Sequence, residues 1–232
     1  MKIVGFQKVS TVDYPGRIAS VIFTPGCNMN CYYCHNRVIL GADADRTETD
    51  PEEILGYLLR RRGLLDGLVV TGGEPTLQRD LRHFIRDVRD LGYPVKLDTN
   101  GTNPVQLRAL VEDGLVNYVA MDLKAPRQRY EEICGAKVDL DSIEESIRFL
   151  MEGKVRYEFR TTFSPELTRR DVVSMAGEIR GASRLVLQQY RVPDRSLIQD
   201  VRLDAKPHSA QYISDTAKEI TSLDIPCFTR GL

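Results

Sequence analysis

The chain alternates short apolar runs with segments of helical periodicity, and this alternation limits the folds open to it. Several runs are rich in β-branched residues and bounded by Gly, Pro or Asp, as buried parallel strands are. Strand, helix and strand in succession form a right-handed crossover unit, so the pattern predicts a parallel sheet, either open or curled into a barrel. The predicted strands span residues 19–24, 68–71, 95–98, 116–122, 155–163 and 185–190.

The helices between these strands carry start signals of their own. Asp50 and Asn103 each precede a proline, which combines a capping side chain with the residue favoured in the first helical turn. We predict further helix starts at Asp141 and Thr168, and a last helix over residues 209–223. A stripe at helical spacing predicts one more helix, whose buried face holds Leu77, Leu81, Phe84, Ile85, Val88 and Leu91.

The length decides between an open and a closed barrel. A closed barrel of eight strands takes about 250 residues, whereas this chain has 232. We therefore expect an α/β fold, an incomplete (β/α)6 barrel of the TIM type, forming a single domain over residues 1–232. Its core should span about residues 16–190, and the C-terminal helix and tail, about 208–232, should close one edge. Functional side chains should then follow the C-terminal ends of the strands.

Charge and hydropathy exclude some classes of partner. The chain has 32 Lys and Arg against 33 Asp and Glu, a formal net charge of −1, so it lacks the broad basic surface of a nucleic-acid-binding protein. We interpret the basic run at residues 60–62 as a solvated helix end. No apolar run approaches the roughly 20 residues of a membrane span, and the N-terminus lacks a signal-peptide pattern. We expect a cytoplasmic protein without nucleic-acid or membrane partners.

Three of the five cysteines, Cys27, Cys31 and Cys34, lie in one loop after the first predicted strand. An odd number of cysteines argues against a disulfide framework, and thiolates suit zinc or an iron-sulfur cluster. A structural zinc site needs a fourth ligand, and the nearest candidate, His35, directly follows Cys34 and chelates the same ion poorly. A cubane cluster held by three cysteines instead leaves one iron open. We interpret Cys134 and Cys227 as small buried hydrophobic residues.

Polar residues follow the next three predicted strands in the same way. They are Gly72, Gly73 and Glu74 after the second strand, Asp98, Thr99 and Asn100 after the third, and Asp122 and Lys124 after the fourth. Each motif alone is also typical of an ordinary turn. Their order after successive strands predicts one shared site.

These motifs together resemble a known family. The segment GCNMNCYYCHN is similar to the CxxxCxxC signature of radical S-adenosylmethionine (SAM) enzymes, including the aromatic Tyr33 before the third cysteine, and Gly72-Gly73-Glu74 resembles the family's GGE motif. The resemblance implies a 4Fe-4S cluster on Cys27, Cys31 and Cys34. It also implies SAM as cofactor, with the GGE segment at its methionine amino group.

A finer resemblance points to the activating enzymes of glycyl radical enzymes. It rests on TVDYPGR at residues 11–17 and on Cys34-His35-Asn36, and it is closest to the activating proteins of anaerobic ribonucleoside-triphosphate reductase, then to those of pyruvate formate-lyase. In such relatives, residues equivalent to Asp98, Thr99 and Asp122 hold a monovalent cation beside the cofactor carboxylate. Further cofactor contacts are implied for Asn100, Lys124, Arg160 and Gln189. An alternative for Lys124 and Arg160 is ion pairing with nearby carboxylates.

The resemblance implies a radical reaction on a protein substrate. One electron from a flavodoxin- or ferredoxin-type donor cleaves SAM reductively at the cluster, and the resulting 5′-deoxyadenosyl radical removes a hydrogen atom from a glycine of the partner enzyme. One alternative is a radical enzyme acting on a small molecule, as the carboxy-deazaguanine synthases do. A plain iron-sulfur electron carrier would need a fourth protein ligand for its cluster.

Overall fold

The computed structural model describes residues 1–40, 48–196 and 200–232. In this part of the chain the strands form one curled sheet in chain order, so that β1 and β8 lie at its two edges. Strands β2 to β8 run parallel, and β1 pairs antiparallel with β2. The strands are β1 Gly5–Tyr14, β2 Arg17–Thr24, β3 Gly67–Gly72, β4 Val95–Thr99, β5 Tyr118–Asp122, β6 Arg156–Phe163, β7 Leu185–Gln189 and β8 Cys227–Arg230.

The helices cover the outer face of the sheet, where Ile22, Leu68 and Leu97 pack against Ile54 and Leu58 of α1 and the apolar faces of the later helices. This layer holds most of the hydrophobic core. The helices are α1 Pro51–Arg60, α2 Leu81–Asp90, α3 Pro104–Glu112, α4 Tyr130–Cys134, α5 Leu140–Met151, α6 Arg169–Glu178 and α7 Ala210–Thr221.

The incomplete parallel barrel is confirmed, with two strands beyond the predicted six. The predicted strands correspond to β2 through β7. Strand β1 was not predicted, because it is an edge strand with several exposed side chains, among them Val9 and Val12, and therefore lacks a buried run. The tail was expected to close one edge of the sheet. Its four-residue strand β8 does this by pairing with β7.

The segment TVDYPGR forms the end of β1 and the turn into β2. Tyr14 pairs with Arg17 across Pro15 and Gly16, and Gly16 has a φ of 72°, which suits the third position of a proline-glycine turn. The Tyr14 ring packs against Val21 and Tyr118 in the inner cluster, the apolar group Tyr14, Ala19, Val21, Val69, Tyr118 and Ala120 inside the barrel. This motif therefore closes the N-terminal end of the barrel.

Two helix starts differ from the predicted ones. The side chain of Asp139, rather than that of Asp141, caps α5 by accepting from the backbone N–H groups of Asp141 and Ser142. Helix α2 begins at Leu81, and Leu77 belongs to a short 3-10 turn over Pro75–Leu77. Leu77 is consequently 44% exposed instead of buried. The predicted helix starts at Asp50, Asn103 and Thr168 are confirmed. The last helix is also confirmed, and the Ser209 side chain caps it.

In the described ranges, no helix combines the length and the apolar character that crossing a membrane requires.

The start of α6 is a reciprocal cap whose contribution can be measured. The Thr168 hydroxyl accepts from the Asp171 N–H at 3.1 Å, and the Asp171 carboxylate accepts from the Thr168 N–H at 2.8 Å. We expect Thr168→Ala to lower the free energy of unfolding by about 1 kcal/mol, measured by urea denaturation. Ser174→Ala removes a hydroxyl from an exposed position in the same helix and should be neutral. Equal stability of both variants would contradict this role.

Candidate active site

A cavity of about 210 Å³ lies at the C-terminal ends of the strands. The loop after β2, the loop after β3 and the ends of β4, β5 and β6 all contribute side chains to it. Sequence-predicted site residues line it almost completely, namely Cys27, Cys31, Tyr33, Cys34, Gly72, Gly73, Glu74, Asp98, Thr99, Asn100, Asp122, Lys124 and Arg160. The other described residues that line it are Met29, His35, Asn36, Leu40, Thr71 and Thr162. The parallel register of the sheet thus brings motifs far apart in sequence to one place.

The three clustered cysteines face this cavity from one loop. The Cys34 N–H donates to the Cys31 carbonyl at 3.1 Å, and the Met29 N–H donates to the Cys27 sulfur at 3.4 Å. The N–H of Asn30 donates to the carbonyl of Cys134, at the end of α4, at 2.8 Å. The loop is thereby folded back on itself and fastened to a helix that lies far away in sequence.

The environment of the thiols differs from one cysteine to the next. Burial raises the pKa of Cys27 to about 11 and also raises that of Cys34. A hydrogen bond from Cys134 lowers the pKa of Cys31 to about 6, and the same contact raises the pKa of Cys134. Cys134 is fully buried, as predicted, but the sequence carried no signal that its thiol would lie beside Cys31. Cys227 is only partly buried.

Three sulfur donors that face one cavity from a single loop fit an iron-sulfur cluster. Within the described ranges, no three His, Cys, Asp or Glu side chains are grouped as ligands of a single metal ion. Each cysteine of a cubane binds a different iron, so such a cluster sets its cysteine sulfurs further apart than the ligands of one ion.

Gly73 lies against the loop that carries the cysteines. A Cβ at Gly73 would overlap the carbonyl group of Gly26, so this contact requires glycine. The backbone is pinned on both sides, because the Gly73 N–H donates to Thr24 O at 2.9 Å and the Glu74 N–H donates to Gly26 O at 2.8 Å. Asn36, in the cysteine loop, also donates to Gly72 O at 2.9 Å. The loops after β2 and β3 are thus interlocked.

Glu74 connects this interlocked pair to the end of β4. Its carboxylate is 1% exposed and accepts from the Thr76 N–H at 3.1 Å, the Thr76 hydroxyl at 2.6 Å, the Thr99 hydroxyl at 2.8 Å and the Asn100 N–H at 2.7 Å. Burial raises the pKa of Glu74, although these hydrogen bonds act in the opposite direction. With four donors on its two oxygens, Glu74 shapes the cavity wall.

Opposite the cysteines lies a buried row of charges, here called the charged ladder, made of Lys96, Asp98, Arg160, Asp122 and Lys124, of which all but Lys96 line the cavity. Arg160 donates to Asp98 Oδ2 at 3.1 Å and to Asp122 Oδ1 at 2.9 Å. Lys124 Nζ contacts Asp122 Oδ2 at 3.2 Å, and Lys96 Nζ contacts Asp98 Oδ1. The ion-pair alternative for Lys124 and Arg160 is therefore confirmed.

These contacts keep both carboxylates ionised. Burial would raise the pKa of Asp122, but Arg160 and Lys124 outweigh it and lower the value to about 2. The pKa of Asp98 is also lowered, since Arg160 and Lys96 outweigh its burial. Burial lowers the pKa of Lys96, while Asp98 acts in the opposite direction.

The monovalent cation expected at Asp98, Thr99 and Asp122 does not fit these residues. Each carboxylate oxygen already contacts a cationic side chain of the ladder. The Thr99 hydroxyl donates to Glu74, on the other side of β4. Cation sites are built from oxygens that carry spare negative charge, and these three residues offer none.

One predicted contact, Gln189, is placed elsewhere in the fold. Gln189 lies outside the cavity, and its side-chain amide donates to the carbonyls of Tyr190 and His208, each at 3.2 Å. It pairs with Phe163, whereas the neighbouring Gln188 pairs with the cavity-lining Thr162. Alternation along β7 therefore directs Gln189 to the opposite face of the sheet. Asn100 does reach the cavity, and its amide lies 3.8 Å from the Cys27 sulfur.

Replacing Glu74 by glutamine tests its role in the wall. Every oxygen of Glu74 accepts from at least one donor, so the glutamine amide must face a donor in either orientation. We expect Glu74→Gln to lower the free energy of unfolding by about 1–3 kcal/mol, measured by urea denaturation. The matched control is Glu131→Gln at an exposed position. A Glu74→Gln variant as stable as this control would contradict the role.

Comparisons with known proteins agree with this site. Residues 21–179 match the family model of the Radical SAM superfamily. A protein of Methanocaldococcus jannaschii named "Putative glycyl-radical enzyme activating enzyme" is 34% identical over 197 residues, which is 82% of this chain and 80% of that protein. The pyruvate formate-lyase 1-activating enzyme of Escherichia coli is 33% identical over 43% of this chain and 42% of its own length.

Two further similarities are less extensive. A "Probable GTP 3',8-cyclase" of Sulfurisphaera tokodaii is 33% identical over 141 residues, which is 59% of this chain and 43% of the cyclase. The crystal structure of Streptococcus suis SuiB bound to the precursor peptide SuiA superposes with a TM-score of 0.71 at 14% identity, covering 91% of this chain and 48% of SuiB. The SuiB comparison shows the shared partial-barrel fold.

The family model covers most of the chain, and the cysteine loop, the GGE segment and the charged strand ends all meet at one cavity. The chain belongs to the radical SAM superfamily, whose members use a 4Fe-4S cluster and SAM.

Proposed function

We propose that this protein is an activating enzyme that generates a glycyl radical on a partner enzyme, most specifically an anaerobic ribonucleoside-triphosphate reductase. The observation that carries the proposal is the cavity itself, which has three thiols on one wall and a buried charged ladder on the other. The similarity to the Methanocaldococcus jannaschii protein, over four-fifths of its length, supports activation of a glycyl radical enzyme.

Cys27, Cys31 and Cys34 would hold the cluster. When bound, the cluster and SAM supply a 5′-deoxyadenosyl radical, with methionine as the other product, once an external donor has delivered one electron. The cysteine loop positions the three sulfurs through its fastening to α4 at Cys134. Asn100 lies beside Cys27, where its amide donor lowers the charge density on that sulfur.

The residues opposite the cysteines would bind SAM. Its methionine part carries both an ammonium group and a carboxylate, and a wall that holds fixed charges of both signs complements such a zwitterion. Lys124 and Arg160 offer cationic groups to the carboxylate. Gly72 and Gly73 would meet the ammonium group, and their segment is held in place by the backbone hydrogen bonds to Thr24 and Gly26. Tyr33 is 5% exposed and closes the cavity beside Cys34. We propose that Gln188, rather than Gln189, is the β7 side chain nearest this site, because Gln188 pairs with the cavity-lining Thr162.

The open shape of the barrel suits a macromolecular substrate. The sheet runs from β1 to β8 with an edge at each end, so a loop of a partner protein could approach the cavity between the two edges. The hydrogen atom would leave the α-carbon of a glycine in that loop. The reaction consumes one electron, which a flavodoxin- or ferredoxin-type protein would donate. We propose a cytoplasmic location, where such donors are found.

A second candidate is a radical reaction on a small molecule. The GTP 3',8-cyclase of Sulfurisphaera tokodaii favours it, but that similarity covers 43% of the cyclase. The two candidates predict different products from the same cofactors, so one experiment separates them.

Removal of a cluster cysteine should abolish iron binding. We expect Cys27→Ala, Cys31→Ala and Cys34→Ala each to lose the cluster, because a cubane bound at two corners is unstable. Iron content and the absorbance of the anaerobically reconstituted proteins measure this. Cys227→Ser is the matched control, because Cys227 lies on the edge strand β8, and it should keep the wild-type iron content. A full iron complement in any alanine variant would disprove the ligand assignment.

Activation of a partner is tested by electron paramagnetic resonance. The reduced holoenzyme is mixed anaerobically with SAM and either an anaerobic ribonucleoside-triphosphate reductase or a pyruvate formate-lyase. We expect a glycyl doublet on the reductase, accompanied by 5′-deoxyadenosine, and no doublet once its radical-bearing glycine is replaced. A doublet on the lyase alone would change the partner. Deoxyadenosine without any protein radical would favour the small-molecule reaction.

A further inference from the structure

Lys96 is a buried cation at one end of the charged ladder. It lies on β4 two residues before Asp98, so both side chains point to the inside of the barrel. Its side chain is 1% exposed, and it is absent from the cavity lining. Its strand neighbours in register are Val69 and Tyr118 of the inner cluster. The Lys96 ammonium therefore lies beneath Asp98, on the side away from the cavity.

An ammonium group in this position is costly unless it has a strong partner. Burying a charge among apolar side chains costs free energy, and burial lowers the pKa of Lys96. Its ion-pair partner is Asp98 Oδ1. The next charged group inside the barrel, Glu158, is engaged by the Tyr118 hydroxyl at 3.0 Å and by Arg230 at 3.2 Å.

The position of Lys96 matters because it contacts Asp98 Oδ1, the carboxylate oxygen of the ladder that neither Arg160 nor Lys124 contacts. Asp98 Oδ1 contacts Lys96 and Asp98 Oδ2 contacts Arg160, while Asp122 contacts Arg160 and Lys124. Three cations thus face two carboxylates, which leaves the ladder with a formal charge of +1. A further cation at this place would meet repulsion from all three at short range, with little solvent to screen it.

The family resemblance implies a free monovalent cation at Asp98, Thr99 and Asp122. A tethered ammonium supplies the same unit of charge at the same carboxylate, but it needs no ion from solution. We propose that Lys96 is a built-in replacement for that cation, so that SAM binding by this protein is independent of Na⁺ and K⁺.

The inference rests on the cofactor site proposed above, and its test uses binding rather than turnover. SAM affinity is measured calorimetrically on the reconstituted, unreduced holoenzyme in chloride salts of tetramethylammonium, Na⁺ or K⁺ at equal ionic strength. For the wild type we expect the Kd to stay within about twofold across the three salts. For Lys96→Met we expect a Kd about tenfold weaker in tetramethylammonium and largely restored by Na⁺ or K⁺.

Two controls separate this role from a merely structural one. Lys137→Met removes an exposed lysine and should behave as the wild type in every salt. The sodium NMR linewidth reports ion binding directly, and it should broaden with Lys96→Met but with neither the wild type nor Lys137→Met. A structural lysine would weaken SAM binding equally in all three salts, and that result would overturn the inference.

The remaining outcomes are also decisive. A wild-type Kd that improves severalfold on adding Na⁺ or K⁺ would show that a free cation binds despite Lys96, and would overturn the inference while leaving the proposed function intact. If Lys96→Met fails to fold or to take up iron, the wild-type salt series still tests whether SAM binding is independent of Na⁺ and K⁺. A well-loaded wild type that does not bind SAM in any salt would overturn the proposed function itself and the inference with it.

Discussion

The guanidinium of Arg160 joins two carboxylates on neighbouring strands, and the C-terminal half of the barrel, where the cavity lies, depends on that bridge. Arg160 lies on β6, while Asp122 and Asp98 lie on β5 and β4. Buried charges persist when each has an opposite charge at hydrogen-bond distance, and removal of one member leaves the others unpaired. The bridge therefore fixes three strand ends relative to one another, and with them one wall of the cavity.

The barrel interior is divided into two parts by composition. Its N-terminal half is filled mainly by the apolar residues of the inner cluster, beside which Glu158 is buried and paired with Arg230. Its C-terminal half is polar and carries the charged ladder and Glu74. This division places charges where parallel strands end and loops begin, which is where a polar cofactor can enter. The interlocking of Gly73 with Gly26 then holds the cysteine loop over the polar half.

Local patterns predicted much of the fold and most of the site. Buried parallel strands have continuous apolar runs, so all six were found, whereas the half-exposed edge strand β1 was not. Caps such as Asp50 and Thr168 act within one turn of their own helix and were predicted correctly. Leu77 was misplaced because Pro75 and the Glu74 side chain form a separate 3-10 turn ahead of α2, which helical spacing alone does not reveal.

The sequence by itself determined the three-cysteine loop, the glycines that permit close backbone contact and the order of polar residues after successive strands, because these depend on spacing and local conformation. Tertiary structure alone decided which charges meet. Lys96 and Arg160 are 64 residues apart, yet both contact Asp98, and Cys134 reaches Cys31 through the packing of α4. Strand register and the alternation of side chains across the sheet set these contacts, and they also turned Gln189 away from the cavity and the Thr99 hydroxyl toward Glu74.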